Sequence, residues 1–330
     1  MVTIESTRSK LIKLLADAKE SYISGQQLSE QLHISRTAIW KHMKELEKDG
    51  YVIEAKPKTG YRIKHFSENV SANTLKWGLN TSWLGKEIIH KSTVSSTQLV
   101  AHEAARTNAA HGTVIIADEQ SSGRGRMDRV WHSKKGKGIW MSVILRPEIP
   151  PYMAPQLTLM TATAIADVLD QYDGINPKIK WPNDILIENK KVAGILTEMQ
   201  AEQDRIQYVV IGMGLNVNQA DNELPDAIHY RATSLRKETA NEWQIITLVQ
   251  QILQAMEAQY DTFLKRGFSE IKTKWESYGF RIGEKISYHQ GRENKQAIFS
   301  GIAADGALLV ELANGNKEKI YSAEIDWFVE

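Results

Sequence analysis

Residues 120–131 read Gln120-Ser121-Ser122-Gly123-Arg124-Gly125-Arg126-Met127-Asp128-Arg129-Val130-Trp131. Glycine lets a backbone approach a ligand closely, and a guanidinium fork grips carboxylate or phosphate with two parallel hydrogen bonds. Three arginines alternating with glycines therefore form a flexible, anion-seeking loop, closed by Trp131 as a lid for an adenine or other heterocycle. From Ser121 to Arg146 seven Lys+Arg stand against one acid, Asp128. The segment is not a dinucleotide fingerprint, since Asp128 replaces the third glycine, and no Walker-type phosphate loop occurs in the chain. The competing reading of this segment alone is a solvated basic loop.

Two further stretches carry reactive side chains. Lys180-Trp181-Pro182-Asn183-Asp184 sets a cation, a ring, an amide and a carboxylate before a strand, and Lys190-Lys191-Val192-Ala193-Gly194-Ile195-Leu196-Thr197-Glu198 is an apolar strand entered through lysines. Ile211-Gly212-Met213-Gly214-Leu215-Asn216-Val217-Asn218 ends a strand in glycines and asparagines. Taken singly, each suits a hairpin or a strand edge. The nine histidines show no HxH or HExxH spacing, so a protein-bound zinc is not expected. Cysteine is absent, which removes disulfides, thiolate ligands and cysteine nucleophiles and fits a reducing cytosol.

These residues need a scaffold of several parts. With 330 residues, 42% hydrophobic and 25% charged, the chain can build two or three domains with real cores. Forty-one Lys+Arg against forty Asp+Glu leave a net charge of +1, so any nucleic-acid site is local. Neither a signal peptide nor a membrane span is legible, and a soluble cytoplasmic protein is expected. The polar run His65–Thr74 suits a linker. Beyond it, strand-like runs at Gly112–Ala117, Ile139–Leu145 and Tyr208–Ile211 alternate with helices. One amphipathic helix carries Leu157, Met160, Thr161, Ala164 and Val168, and a long one covers Trp243–Leu264. After Ile282, short alternating runs broken by Asp305-Gly306 and Asn314-Gly315 suggest a small β-barrel.

Residues 1–64 hold twelve Lys+Arg against eight Asp+Glu. Leu11, Leu14, Leu15 and Ala18 form one apolar stripe, Ser24-Gly25 opens a second helix, and Ser35 can cap a third running from Arg36 to about Leu46. Ile39, Met43 and Leu46 face inward, leaving Thr37, Trp40, Lys41, Lys44 and Lys48 outside. With a basic hairpin tip at Lys56-Pro57-Lys58-Thr59, this is the pattern of a winged helix-turn-helix. Ser35, Arg36, Thr37 and Trp40 would reach base edges, while Lys41, Lys44, Lys56 and Lys58 would meet phosphates. A three-helix scaffold with a solvated charged face is the alternative.

GRGR…R-W, KWPND, KKVAGILTE and IGMGLNVN occur in the order and rough spacing of the biotin–protein ligases, and SGQQLSEQLHISRTAIWKHMKEL resembles the subgroup that also represses the biotin operon. Asp128, Lys134 and Gln98 depart from the family's usual glycine, proline and asparagine. The resemblance implies an α+β multidomain chain: a winged helix-turn-helix over 1–66 (helix-turn-helix about 25–44), a class II synthetase-like mixed α/β catalytic domain over 67–281, and an SH3-like β-barrel over 282–330. It implies that biotin and ATP form biotinyl-5′-AMP, and that biotin then passes to a lysine of a biotin carboxyl carrier protein.

Residue by residue, the resemblance makes Lys191 and Arg124 catalytic. It gives Ser96, Thr97, Gln98, Gln120, Arg124, Gly125, Arg126, Lys191 and Gly194 to biotin, and Arg124, Arg126, Arg129, Trp131, Asn183 and Asn216 to ATP or the adenylate. Asp184, with Asn183, is the candidate for Mg²⁺. Operator DNA and a homodimer induced by biotinyl-5′-AMP are implied partners. A biotin sensor without ligase activity has no need of the phosphate-binding cations Arg124, Arg126 and Lys191. A lipoate ligase is disfavoured by the appended DNA-binding segment and by the pairing of GRGR with KWPND.

Overall fold

The structure, a computed structural model, describes residues 7–18, 21–65, 69–225, 227–228, 230–290 and 293–327. It begins with three helices, α1 (Thr7–Asp17), α2 (Gly25–Leu32) and α3 (Arg36–Lys48), followed by the hairpin β1 (Val52–Lys56) and β2 (Gly60–His65). Ser24 and Gln27 form a reciprocal cap on α2, and Ser35 Oγ accepts from Ala38 N at 3.1 Å to start α3. Leu11, Leu15, Leu28, Ile39, Met43 and Leu46 bury together beneath them. The wing is clamped to the turn before α2, because Ile23 and Tyr61 exchange two backbone hydrogen bonds of 2.9 Å. Gly60, at φ 134°, makes that approach possible, since a Cβ there would collide with the Ile23 backbone.

A short helix, α4 (Ala72–Lys76), capped by Ser71, leads onward. The linker expected over His65–Thr74 is therefore shorter: His65 still belongs to β2, and Ala72–Thr74 are helical because Ser71 and Thr74 cap each other. Its residues 66–68 lie outside the described residues.

The central unit contains β3 (Ile88–Val94), α5 (Thr97–Arg106), β4 (Val114–Arg124), β5 (Val130–Ser133), β6 (Gly138–Leu145), α6 (Ala154–Leu169), β7 (Lys178–Lys180), β8 (Asp184–Ile187), β9 (Lys190–Glu202), β10 (Arg205–Asn216), α7 (Leu235–Thr239), α8 (Ile245–Arg266) and α9 (Ser269–Tyr278). The strands form one sheet in the order β3-β4-β6-β10-β9-β8-β7, with β5 paired to the outer part of β4. Among the described residues, β3 with β4 is the one parallel strand pair of this sheet. Side-chain alternation sorts the two faces. Val114, Ile116, Met141 and Val143 enter the main core with α6 and α8, whereas Ile115, Ile144, Tyr208 and Val210 pack on Ala101 and Ala105 of α5.

Two expectations are corrected here. The helix carrying Leu157 and Met160 is not amphipathic. As α6 it is buried on nearly every side, and its Thr161 and Thr163 hydroxyls are satisfied by Leu157 O and Leu159 O, each at 2.8 Å. The glycine–arginine stretch is not a loop through most of its length, because β4 continues to Arg124 and pairs Gly123 with Trp131 and Arg124 with Val130. The non-strand tip is residues 125–129, a tight turn over Arg126–Asp128 that Gly125 N closes on Arg129 O at 2.7 Å. Hydrogen bonding across the hairpin outweighs the low strand preference of glycine.

The C-terminal unit is a five-stranded antiparallel sheet of β11 (Lys285–Gln290), β12 (Glu293–Ile302), β13 (Leu308–Glu311), β14 (Lys317–Ile320) and β15 (Glu324–Asp326), ordered β14-β13-β12-β11-β15. Gly306 and Gly315 hold positive φ at the β12–β13 and β13–β14 turns. Among the described residues no helix is long and apolar enough to cross a membrane. Because α6 is wedged between the sheet and two other helices, Ile165→Ala should lower stability by about 2–5 kcal/mol, as cavity creation does in other cores. A fall in the thermal midpoint, with the winged-helix signals unchanged at low temperature, checks this.

Candidate active site

The start of α5, the ends of β4 and β10, the β7–β8 turn and the head of β9 surround one cleft. One end of it is neutral. Ser96 caps α5 by accepting from Gln98 N at 3.3 Å, and that first turn delivers Thr97 to the cleft. Thr97 N donates to Gln120 Oε1 at 2.8 Å, its hydroxyl lies 2.9 Å from Ser142 Oγ, and Gln120 Nε2 donates to Ser133 Oγ at 2.7 Å. Gln98 spends its amide on the fold: Nε2 donates to Leu196 O and Val210 O, and Oε1 accepts from Ser142 at 3.1 Å. A set of hydroxyls and amides without charge suits an uncharged polar ring.

The other end is cationic. Lys191 Nζ sits 2.7 Å from Asp184 Oδ1 and 5.1 Å from the centre of the Trp131 ring. Arg126 Nη1 donates to Asn183 Oδ1 at 3.3 Å, and Asn183 Nδ2 donates to Ile195 O at 2.8 Å. The turn carrying Asn183 contains the cis Trp181–Pro182 peptide. Arg124 Nη2 lies 3.9 Å from Glu198 Oε1. Burial pulls the Lys180 ammonium below the usual lysine range, opposed by Asp184 and reinforced by repulsion from Lys191 and Arg129. Cations are thus gathered without being fully neutralised by one another's partners.

Gly194 and Gly214 face each other across β9 and β10 and form a smooth strip under the Trp131 indole. A Cβ at Gly194 would stand 3.1 Å from that ring, and one at Gly214 would collide with it. The strands thus explain why glycines recur at these positions.

Of the residues expected at the site, Ser96, Thr97, Gln98, Gln120, Arg124, Gly125, Arg126, Trp131, Asn183, Lys191 and Gly194 all line the cleft. Asp184 reaches it through Lys191. Asn216 and Arg129 do not line it. Asn216 is buried beside it, donating to Thr233 O at 3.0 Å and accepting from Gln219, while Arg129 is exposed on the hairpin arm. Ser142 lines the cleft without having been singled out, and Gly212 and Met213 of the IGMGLNVN stretch line it without having been assigned a ligand. A lone serine inside the apolar run Ile139–Leu145 was the available signal for Ser142.

A second surface lies on the winged helix. Arg36, Thr37, Trp40, Lys41 and Lys44 are exposed along α3, with Trp40 52% exposed. Lys56 and Lys58 are exposed at the wing tip, and Lys56 lies over the Tyr22 ring at 5.9 Å. Two residues have local duties as well, since the Ser35 oxygen caps α3 and Lys44 is held by Glu47 at 2.7 Å.

Residues 90–216 match the Biotin/lipoate A/B protein ligase family, residues 7–62 an HTH domain, and residues 282–327 the biotin protein ligase C terminal domain. The Bifunctional ligase/repressor BirA of Bacillus subtilis (strain 168) is 46% identical over 319 residues, covering 97% of this chain and 98% of the relative. The chain belongs to the biotin protein ligase family. The Bifunctional ligase/repressor BirA of Escherichia coli (strain K12) is 28% identical over 92% of this ligase and 91% of its own length. The biotin protein ligase from Aquifex aeolicus in complex with biotin and ATP superimposes with a TM-score of 0.63 at 30% identity, covering 73% of this ligase and 99% of that chain.

Lys134, one of the departures noted from the resemblance, has a partner in this ligase. Its ammonium and that of Lys137 lie 3.0 and 3.1 Å from the Glu223 carboxylate, which also accepts from Ala220 N at 2.9 Å. The Ala220 N–H, followed by the two lysines, holds the Glu223 carboxyl down at about 2. A carboxyl depressed in the folded state stabilises fully above its ordinary value of 4.5, and this contribution is lost as pH falls towards 2. Glu223→Gln should therefore lower stability at neutral pH and flatten the acid limb between those values. Thermal midpoints measured across that range check it, and parallel curves for the two proteins would count against the assignment.

Proposed function

We propose that this chain activates biotin with ATP and transfers it to a carrier-protein lysine, and that it represses biotin genes when loaded with the intermediate. The observation that carries this is one cleft with a neutral hydroxyl–amide end and an opposite end bearing Lys191, Arg124 and Arg126. The obstacle in the first step is repulsion between a carboxylate and a triphosphate, which fixed cations reduce where charge develops. The ureido ring lies against Thr97 and Gln120, and the valeryl carboxylate points to Lys191. Lys191 exchanges Asp184 for the carboxyl oxygen and the α-phosphate, while Arg124 and Arg126 hold the phosphates.

A carboxylate oxygen attacks the α-phosphorus, the bond to the bridging oxygen breaks, and pyrophosphate leaves. An uncharged lysine amine of the carrier then attacks the acyl carbon and AMP departs. Trp131, resting on the Gly194–Gly214 strip, must shift as the nucleotide enters. Asn216 acts behind the adenine side by fixing Gln219 and the Thr233 backbone.

Magnesium needs separate treatment. Asp184 gives one carboxylate, already engaged by Lys191, and among the described residues no three His, Cys, Asp or Glu side chains come together. This donor set does not fit a metal resident in the protein. Mg²⁺ arrives with the ATP phosphates as part of the substrate.

The repressor half rests on the α3 and wing surface. One winged helix is a small footprint for a selective operator, so two copies on a twofold axis, favoured by biotinyl-5′-AMP, supply the needed contacts. The work is cytoplasmic, where biotin, ATP, carrier protein and operator meet.

Incubation with labelled biotin, ATP and a carrier domain should label the carrier, and its failure to do so sinks the ligase reading. Lys191→Ala should slow single-turnover adenylate formation by roughly a hundredfold, a scale set by loss of one charge stabiliser. An equally fast variant removes Lys191 from the chemistry. On the DNA side, sedimentation with operator titration should show tighter binding and more dimer with biotin plus ATP than with biotin alone. Arg36→Ala and Lys41→Ala should weaken operator binding, and intact binding in both would exclude α3 as the reading surface.

A further inference from the structure

The arm that carries Arg124 is braced by its neighbours only as far as Ser122, whose N–H donates to Ser95 O at 2.9 Å. The ladder from β4 to β6 ends at Ala117 and that to β3 ends at Gln120, so Gly123 and Arg124 pair only with the short β5. A two-stranded ribbon is marginal alone in water, and a long guanidinium side chain at its end has many rotamers to lose. A fixed acid from a better-anchored strand faces it. Glu198 belongs to β9, where it is paired with Val210 inside the sheet, and its Oε1 stands 3.9 Å from Arg124 Nη2.

The other carboxylate oxygen is tied down separately. Glu198 Oε2 lies 3.1 Å from His102 Nε2, and His102 Nδ1 lies 3.4 Å from the Tyr208 hydroxyl, with the two rings edge to face at 5.6 Å. One hydrogen arrangement satisfies the chain: Tyr208 O–H donates to Nδ1, and Nε2–H donates to Glu198. Tyr208 is buried and His102 is part-buried on α5, so the Glu198 rotamer is fixed from behind. The first turn of α5 also presents Thr97 to the neutral end of the cleft.

We propose that Glu198, set by His102 and Tyr208, is a positioning residue that aims Arg124 at the anionic group of the substrate, locking the charged end of the cleft to the ring end through α5. The proposal rests on the reading of Arg124 as an anion-holding residue. At 3.9 Å the carboxylate orients the guanidinium without a close hydrogen bond, so an incoming carboxylate or phosphate competes for it successfully. Exposed ion pairs contribute little to stability, so the effect lies on substrate affinity rather than on folding.

The test is a double-mutant cycle on the full chain, with KM for biotin in adenylate formation as readout and thermal midpoint as control. Glu198→Ala should raise KM about tenfold with little change in midpoint, and His102→Ala should move it in the same direction by less. In an Arg124→Ala background, Glu198→Ala should add nothing. Glu198→Gln keeps the shape and the His102 hydrogen bond but removes the charge, and should fall between wild type and Glu198→Ala. It also serves if the alanine variant does not fold. Unchanged KM in Glu198→Ala, or effects that multiply with Arg124→Ala, overturn the positioning role and leave the ligase reading intact. An Arg124→Ala variant with wild-type kinetics instead overturns the reading on which the proposal stands.

Discussion

Like charges brought close enough to hold two anions repel one another when the anions are absent, and the central sheet is arranged around that repulsion. Lys191 is compensated by Asp184 at 2.7 Å and covers the Trp131 face at 5.1 Å. Arg126 is turned toward a neutral amide, Asn183, rather than an acid. Lys180 is placed over the Trp327 ring at 5.8 Å. The partners of Arg126 and Lys180, an amide and a ring, are weaker than the close carboxylate that faces Lys191. A site in which every arginine had a bidentate acid would be more comfortable empty and worse at binding.

That arrangement requires the turn between β7 and β8 to be rigid, and the C-terminal sheet supplies the backing. Trp181 Nε1 donates to Gly306 O at 3.1 Å, Gln156 of α6 donates to Ala304 O at 3.2 Å, and Glu276 of α9 accepts from Ile302 N at 3.0 Å. Phe299 and Trp327 join the same core as the central helices. The C-terminal unit is therefore part of the wall behind Asn183 and Asp184. The run Lys180-Trp181-Pro182-Asn183-Asp184 alternates accordingly: Trp181 faces the C-terminal sheet while Asn183 faces the cleft.

Local signals in the sequence were strong where the physics is local. The caps at Ser24 and Ser35, the inward Ile39, Met43 and Leu46, and the turns at Gly306 and Gly315 depend on neighbours a few residues away. The motif residues could be named because the chemistry of anion binding restricts residue type. What could not be read depends on partners distant in sequence. Nothing in Leu157–Val168 tells that α8, α9 and the sheet enclose α6 on its remaining sides. Gly123 looks like part of a loop until β5 is known to pair with it. Gln98 lines the cleft as its position in the sequence suggests, but that its amide reaches Leu196 O and Val210 O across the sheet is legible from no nearby residue. His102 and Glu198 are 96 positions apart, and no spacing rule joins them.

The segment of α4, between the two halves of the chain, is gripped from both sides. Leu75 of α4 is buried in the catalytic core, whereas Trp77, immediately after it, packs against the winged-helix core. Asn73 donates to Asp49 at the end of α3 at 2.8 Å, and Gln250 of α8 donates to Leu75 O at 3.1 Å. Seven residues later Glu257 accepts backbone N–H groups of Trp83 and Leu84 at 2.8 Å each. A winged helix on a flexible tether would search for its half-site independently of how the catalytic domains pair. Fastened in this way, α3 takes its direction from α8 and the central sheet. Under the twofold pairing proposed above, the spacing and direction of the two copies of α3 would be set by how the catalytic domains meet.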